Sequence, residues 1–226
     1  MFVGAVPGDR FFLDKNGRFE YYGREKFRDL YEAVKSMRFQ GTRKYFLHGT
    51  HGAGKSYILA ALTCLLFMEG VKVVYLPDCR EMLCDSFHYL QSALRLTFTG
   101  AGQHYEQSLA STECARDLVN FCTARSSESI RLLFVIDQVN ALDPRDEESD
   151  RFPLDIKRST RTLLDTTTSS HMKLSSSSGN YLHALHDTHR QTGEKRLTLY
   201  GGLTEVHIIP FITLCPLHIR NYSHNK

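Results

Sequence analysis

The chain is 226 residues long and 42% hydrophobic, with 28 Lys/Arg against 25 Asp/Glu and a formal net charge of +3. Such a length can bury one substantial core, or one domain with an incomplete appendage, and the small net charge argues against a dedicated polyanion binder. Gly, Pro and Asp within the first ten residues leave no basic-then-apolar leader, and the longest late apolar stretch, Val206 to Leu217, contains Pro210 and Pro216 and falls short of the ~20 residues of a bilayer span.

The expectation from these features is a soluble chain, intracellular by its own sequence, with no signal peptide and no membrane partner. In chain order, Phe11-Phe12-Leu13 and Phe19-Glu20-Tyr21 flank Lys15-Asn16-Gly17, turn chemistry that predicts a short hairpin. From Arg24 to Arg38 the residues Phe27, Leu30, Tyr31, Val34 and Met37 recur at helical spacing, with Lys26, Arg28, Glu32 and Lys35 on the other side. That stripe reads as core. The basic excess of residues 1–44 and the acidic run Asp143 to Asp150 read as solvated faces.

Next comes an apolar run, Tyr45 to Leu47, and directly after it Gly49-Thr50-His51-Gly52-Ala53-Gly54-Lys55-Ser56, a complete GxxxxGK[ST] phosphate-binding loop. The apolar helical run Ile58 to Met68 follows, so the motif has its strand before and its helix after. Its glycines let backbone N–H groups turn inward around a β-phosphate. Lys55 is placed to reach the β- and γ-phosphates, and Ser56 to ligand Mg2+ as the helix N-terminus adds its positive end. Residues Gly49 to Tyr57 are therefore the candidate nucleotide-binding segment, for ATP or GTP.

Gly70 supplies a helix stop, Val71 to Leu76 a buried strand and Pro77 its end. Asp78 with Glu81 resembles a reciprocal cap, opening one amphipathic helix through Met82, Leu83, Phe87, Leu90 and Leu94. Asp78 is read as a cap first and a ligand second. A break at Gly100 to Gly102 precedes a third helical stretch around Leu109 to Cys122, with Leu118, Val119 and Cys122 inward. The six cysteines show no CxxC pair and no His-flanked metal spacing, and read as reduced, mostly buried thiols.

Ile130 to Ile136 is an apolar strand closed by Asp137, the expected second Mg2+ ligand beside Ser56. Many ATPases of this architecture place a water-polarising Glu next, where this chain has Gln138. Glutamine can orient water but is no general base. Either Gln138 orients water, another acid such as Asp143 serves, or the protein mainly binds.

Beyond the acidic loop, Met172-Lys173-Leu174 leads into Ser175 to Asn180. In additional-strand P-loop ATPases a polar residue here senses the γ-phosphate, which makes Ser176 a candidate; a flexible Ser/Gly linker is the alternative. Arg190, Lys195 and Arg196 cluster near a presumed helix end, as candidates for a charge-stabilising cation in cis or to a neighbouring subunit of a homo-oligomer. Strand signals alternating with helices predict an α/β fold: a three-layer P-loop NTPase domain of the additional-strand type with a mostly parallel central sheet. Three segments are expected: 1–40, a hairpin and helix leading into the domain; 41–203, the P-loop NTPase domain; and 204–226, a divergent or misjoined tail that leaves the domain truncated at its carboxyl end.

The stretches FFLDKNGRFEYYGREKF, YFLHGTHGAGKSYILAALTCLLFMEGVKVVYLPDCREML, FVIDQVNALD and HRQTGEKRLTLYGGL resemble the NTPase region of Crinkler-type effectors of oomycetes and fungi, which are related to retrotransposon-hot-spot-type P-loop proteins. The similarity covers roughly residues 5–203, and Asp137-Gln138 resembles that family's habit. Lys55, Asp137 and Gln138 are the candidate catalytic residues by their motifs, and a host protein or nucleic acid is a candidate partner; the resemblance implies secretion into a host cell, often to its nucleus. The chain departs from the family in showing no LxLFLAK-type delivery module and no nuclease constellation.

Overall fold

Val73–Leu76 and Leu133–Ile136 are buried at every position, which is the composition of strands covered by helices on both faces. The computed structural model describes residues 15, 21, 25–37, 43–144, 151–177 and 194–199. Their elements run α1 (Glu25–Lys35), β1 (Lys44–Gly49), α2 (Lys55–Met68), β2 (Val73–Leu76), α3 (Cys79–Cys84), α4 (Ser86–Phe98), α5 (Gln103–Ala110), α6 (Ala115–Ser127), β3 (Leu133–Ile136), a 3-10 turn (Val139–Leu142), α7 (Leu154–Thr168), β4 (Met172–Ser176) and β5 (Glu194–Leu199).

The five strands form one sheet in the order β2-β3-β4-β1-β5, with every pairing parallel. β4 lies between β1, which leads into the phosphate loop, and β3, which ends at Asp137. That insertion defines the additional-strand P-loop NTPase fold, as the sequence predicts.

Side-chain alternation sorts the sheet into two apolar clusters. Tyr45, Leu47, Tyr75, Val135 and Leu174 pack with Leu30 and Val34 of α1, Met37 just after it, and Ile58, Leu62 and Leu66 of α2. Val74, Leu76, Phe134 and Ile136 point the other way, against Met82, Leu90, Leu94, Phe98, Leu118 and Leu164 of the remaining helices. Each such buried side chain contributes about 1.5–3 kcal/mol relative to exposure, so the two clusters dominate cohesion. Between the layers, α2 ends at left-handed Gly70, whose N–H bonds the Phe67 carbonyl while that of Val71 bonds Leu66.

Several expectations need correction. The helix read as continuous from Asp78 is two helices, because Asp85 is extended and its carboxylate accepts the His88 N–H at 3.0 Å, starting α4 afresh. The Asp78 cap is not reciprocal with Glu81: its carboxylate accepts from the Arg80 N–H, and its own N–H donates to the Tyr89 hydroxyl. The stretch around Leu109 to Cys122 divides into α5 and α6, because the Asp117 carboxylate accepts the N–H groups of Glu113 and Cys114 and so fixes a new helix start. Lys195 and Arg196 lie within edge strand β5, not at a helix end.

Helix α7 is absent from the sequence reading. Its threonines lower helix propensity and blur the apolar period, yet Thr167 is buried because its hydroxyl donates to the Leu163 carbonyl one turn back. The hairpin, apart from Lys15 and Tyr21, and the tail 204–226 lie outside the described residues. All five described cysteines are free; Cys64, Cys79 and Cys122 are buried, Cys84 and Cys114 exposed. Burial pushes the Cys122 thiol up to about 12.

Two predictions follow from this packing. A Cβ on Gly49 would stand 2.1 Å from the Leu199 carbonyl oxygen, so Gly49→Ala must displace β5 from β1. A loss of about 1–3 kcal/mol, read as a lower urea midpoint, is expected. The second concerns His171, buried against Phe134, whose Nε2 bonds the Cys122 carbonyl at 2.9 Å. Burial holds its pKa below the ordinary 6.5, so the folded state takes up its proton less readily than the unfolded chain. Its contribution is complete above the unfolded pKa and is lost as pH falls toward the depressed folded value. Urea midpoints of wild type should drop from pH 7.5 to pH 5, and His171→Gln should flatten that slope, His48 keeping a residual of the same sign.

Candidate functional site

Three strand ends meet on one edge of the sheet. Leu47 of β1 pairs with Ser176 of β4, and Ile136 of β3 with Ser175, so β4 finishes one residue beyond β3 and β1 two residues beyond β4. From that edge the chain turns through the phosphate loop into α2. Gly52 and Gly54 carry φ of +74° and +75° there, left-handed values that cost a residue with a β-carbon about 1–2 kcal/mol. The Ala53 N–H closes the loop onto the Thr50 carbonyl, and Gly54 caps the helix that begins at Lys55. Thr50, His51 and Gly52 are exposed, Ala53 is buried, and Gly54, Ser56 and Tyr57 are half-buried.

Lys55 is only 6% exposed. Its ammonium donates to the carbonyls of Gly49 at 2.8 Å and Thr50 at 2.7 Å, folded back over its own loop. Burial lowers its pKa, and the Asp137 carboxylate acts in the opposite sense, so strand order brings together two charges that are far apart in sequence.

Asp137, 2% exposed, immediately follows β3. Its Oδ1 accepts the Gln138 N–H at 2.9 Å and, in a short hydrogen bond, the Ser176 hydroxyl. Gln138 is buried in the left-handed region at φ +57° and starts the 3-10 turn. This conformation is uncommon outside glycine and carries about 1–3 kcal/mol of strain, at a position directly beside the acid. Asp143 is also buried, at the other end of the 3-10 turn, where its carbonyl accepts from Lys157 of α7 at 3.3 Å.

The oxygen donors available, the Ser56 hydroxyl and the Asp137 carboxylate, are hard ligands that suit Mg2+. Among the described residues no group of three or more His, Cys, Asp or Glu could enclose a metal. Arg190 lies outside the described residues. Ser175 to Ser177 are buried, so this part of the serine run is strand and strand end, not linker. Ser176 is committed to Asp137. The residue that sequence reasoning missed is Ser177, fully buried, whose hydroxyl has no hydrogen-bond partner. Within four successive serines only the register separates them.

No protein-family model matches the chain, and no curated protein matches it. Solved structures similar in shape include the ORC2 protein of Aeropyrum pernix in ADPNP-ADP complexes, at 15% identity and TM-score 0.44 over 83% of this chain and 50% of that one. Drosophila ORC bound to poly(dA/dT) DNA and Cdc6 shows 14% identity and TM-score 0.38 over 79% of this chain and 28% of that one. Drosophila ORC bound to GC-rich DNA and Cdc6 shows 13% identity and TM-score 0.36 over 90% and 38%. The chain thus spans half the length of the first and less of the others. Among the described residues no helix is long and apolar enough to cross a membrane.

The serine pair supplies a contrast. Ser176→Ala removes a donor from a buried carboxylate and should cost about 1–3 kcal/mol, whereas Ser177→Ala deletes an unbonded hydroxyl and should be neutral or slightly stabilising in the nucleotide-free protein. Chemical denaturation of both variants measures the difference.

Proposed function

We propose that this domain binds the triphosphate of ATP or GTP with Mg2+ in the loop Gly49 to Ser56 and hydrolyses it slowly. The observation that carries the reading is the buried Lys55 ammonium, set within the loop's own carbonyls and beside Asp137 at the carboxyl edge of a parallel sheet. Phosphate oxygens would replace the two carbonyls as acceptors for Lys55. The loop N–H groups and the start of α2 supply the remaining positive potential. Ser56 and Asp137 would hold Mg2+, which when bound neutralises charge on the phosphates.

A second reading is favoured by Gln138, which cannot take a proton from water: a nucleotide-gated module whose output is binding of a host protein or nucleic acid. The sequence resemblance supports placing either activity in a Crinkler-like effector delivered to a host nucleus. Nuclear accumulation of the tagged chain expressed in host cells would be the expected result, and uniform exclusion from the nucleus would count against that placement.

Phosphate release and direct nucleotide binding by wild type, Lys55→Ala and Gln138→Glu test the site. Lys55→Ala should lower turnover by at least about 100-fold and weaken binding. Unchanged affinity and turnover in Lys55→Ala would end the proposal. Tight binding without turnover, with Gln138→Glu switching hydrolysis on and partner affinity changing with nucleotide, would select the second reading.

A further inference from the structure

We propose that Asp78, contributed by β2, is the carboxylate that orients and deprotonates the attacking water, the task that Gln138 cannot perform. The inference rests on the hydrolase reading above and names the base for that same site.

Strand register carries it. Leu76 of β2 pairs with Ile136 of β3, and the ladder continues one step beyond both strands, with the Asp137 N–H donating to the Leu76 carbonyl at 2.9 Å. Pro77 is therefore level with Asp137, and the ladder ends there, because the Asp78 N–H turns to the Tyr89 hydroxyl and Gln138 leaves its strand in the left-handed region. On the other side Ser175 pairs with Ile136, which sets Ser176 level with Asp137. Asp78, Gln138 and Ser177 are thus the residues that leave the ends of three neighbouring strands, in a sheet whose strands run about 4.8 Å apart.

All three are buried, at 8%, 7% and 0% exposure, on the edge where the phosphate loop opens. A buried polar group is expensive unless something polar completes it. Ser177 gives the independent sign of this, since its enclosed hydroxyl finds no partner among the described residues. Asp78 is also held in place. Its Oδ1 accepts the Arg80 N–H at 2.8 Å, its N–H donates to Tyr89, and the α3 that it caps packs against the 3-10 turn begun by Gln138. Of the other acids, Asp137 is committed to Ser176 and the Gln138 N–H, and Asp143 lies at the far end of the 3-10 turn against α7.

In the step so assigned, the water oxygen forms a bond to the γ-phosphorus while its proton passes to the Asp78 carboxylate. The bond from the γ-phosphorus to the bridging oxygen breaks, its electron pair remaining on the β-phosphate. Nucleoside diphosphate and inorganic phosphate result, and Asp78 returns the proton to solvent.

Asp78→Asn and Asp78→Ser both keep a helix-capping oxygen and remove the base. With the full chain, Mg2+ and ATP or GTP, each should lower turnover by about 100-fold or more, with melting temperature and nucleotide affinity near wild type. Glu81→Gln, an exposed neighbour in α3, serves as the control and should leave turnover unchanged. Turnover within about threefold of wild type in Asp78→Asn, or loss of binding together with turnover in both variants, would make Asp78 a structural cap and overturn the inference, as would a wild type that binds without hydrolysing. These outcomes are distinct from failure of the site itself, which would show as unchanged binding and turnover in Lys55→Ala.

Discussion

A parallel sheet buried on both faces has one kind of place where polar side chains can gather without disturbing a core: the ends of its strands. In this protein that constraint acts through the position of β4. By standing between β1 and β3 it separates the phosphate loop from Asp137 by one strand, and so reserves the intervening strand end for Ser176 and Ser177. The contacts that join distant parts of the candidate site depend on this ordering. Lys55 feels Asp137 because their strands end on a common edge, and Ser176 reaches Asp137 because their residues share a rung.

The candidate site is tightly bonded within the protein. Lys55 is folded onto Gly49 and Thr50, and Asp137 is engaged by Ser176 and the Gln138 N–H. A ligand of the kind proposed would exchange these bonds for its own, so that its affinity reflects the difference between two hydrogen-bonded states. Groups held in place in this way also lose little entropy when the ligand arrives. Strain at Gln138 fits the same pattern: an unfavourable backbone conformation is tolerated where it directs the chain away from the strand end and into the 3-10 turn.

The second apolar layer serves the site indirectly. α3 to α7 cover the face formed by Val74, Leu76, Phe134 and Ile136, holding β2 and β3 in register. Arg125 reinforces that layer, its guanidinium 4.8 Å from the centres of both the Tyr105 and Phe121 rings while it bonds Glu128.

The phosphate loop, its flanking strand and helix and the strand ending at Asp137 were legible in the sequence because each is determined locally. Glycines at left-handed positions, an apolar run and a 3.6-residue period act over a few residues and leave a signature in order. The breaks at Asp85 and Asp117 were harder to read, since a side chain competing for backbone N–H groups looks the same in sequence whether it wins or loses. α7 was missed because its buried threonines satisfy their hydroxyls on the helix itself, which no hydrophobic pattern reveals. Tertiary structure alone decided which of the serines faces Asp137, which remains unbonded, and that Asp78 and Gln138 follow the ends of neighbouring strands. Those facts depend on which strands become neighbours and in what register, and pairing between distant segments is set by the packing of the whole sheet.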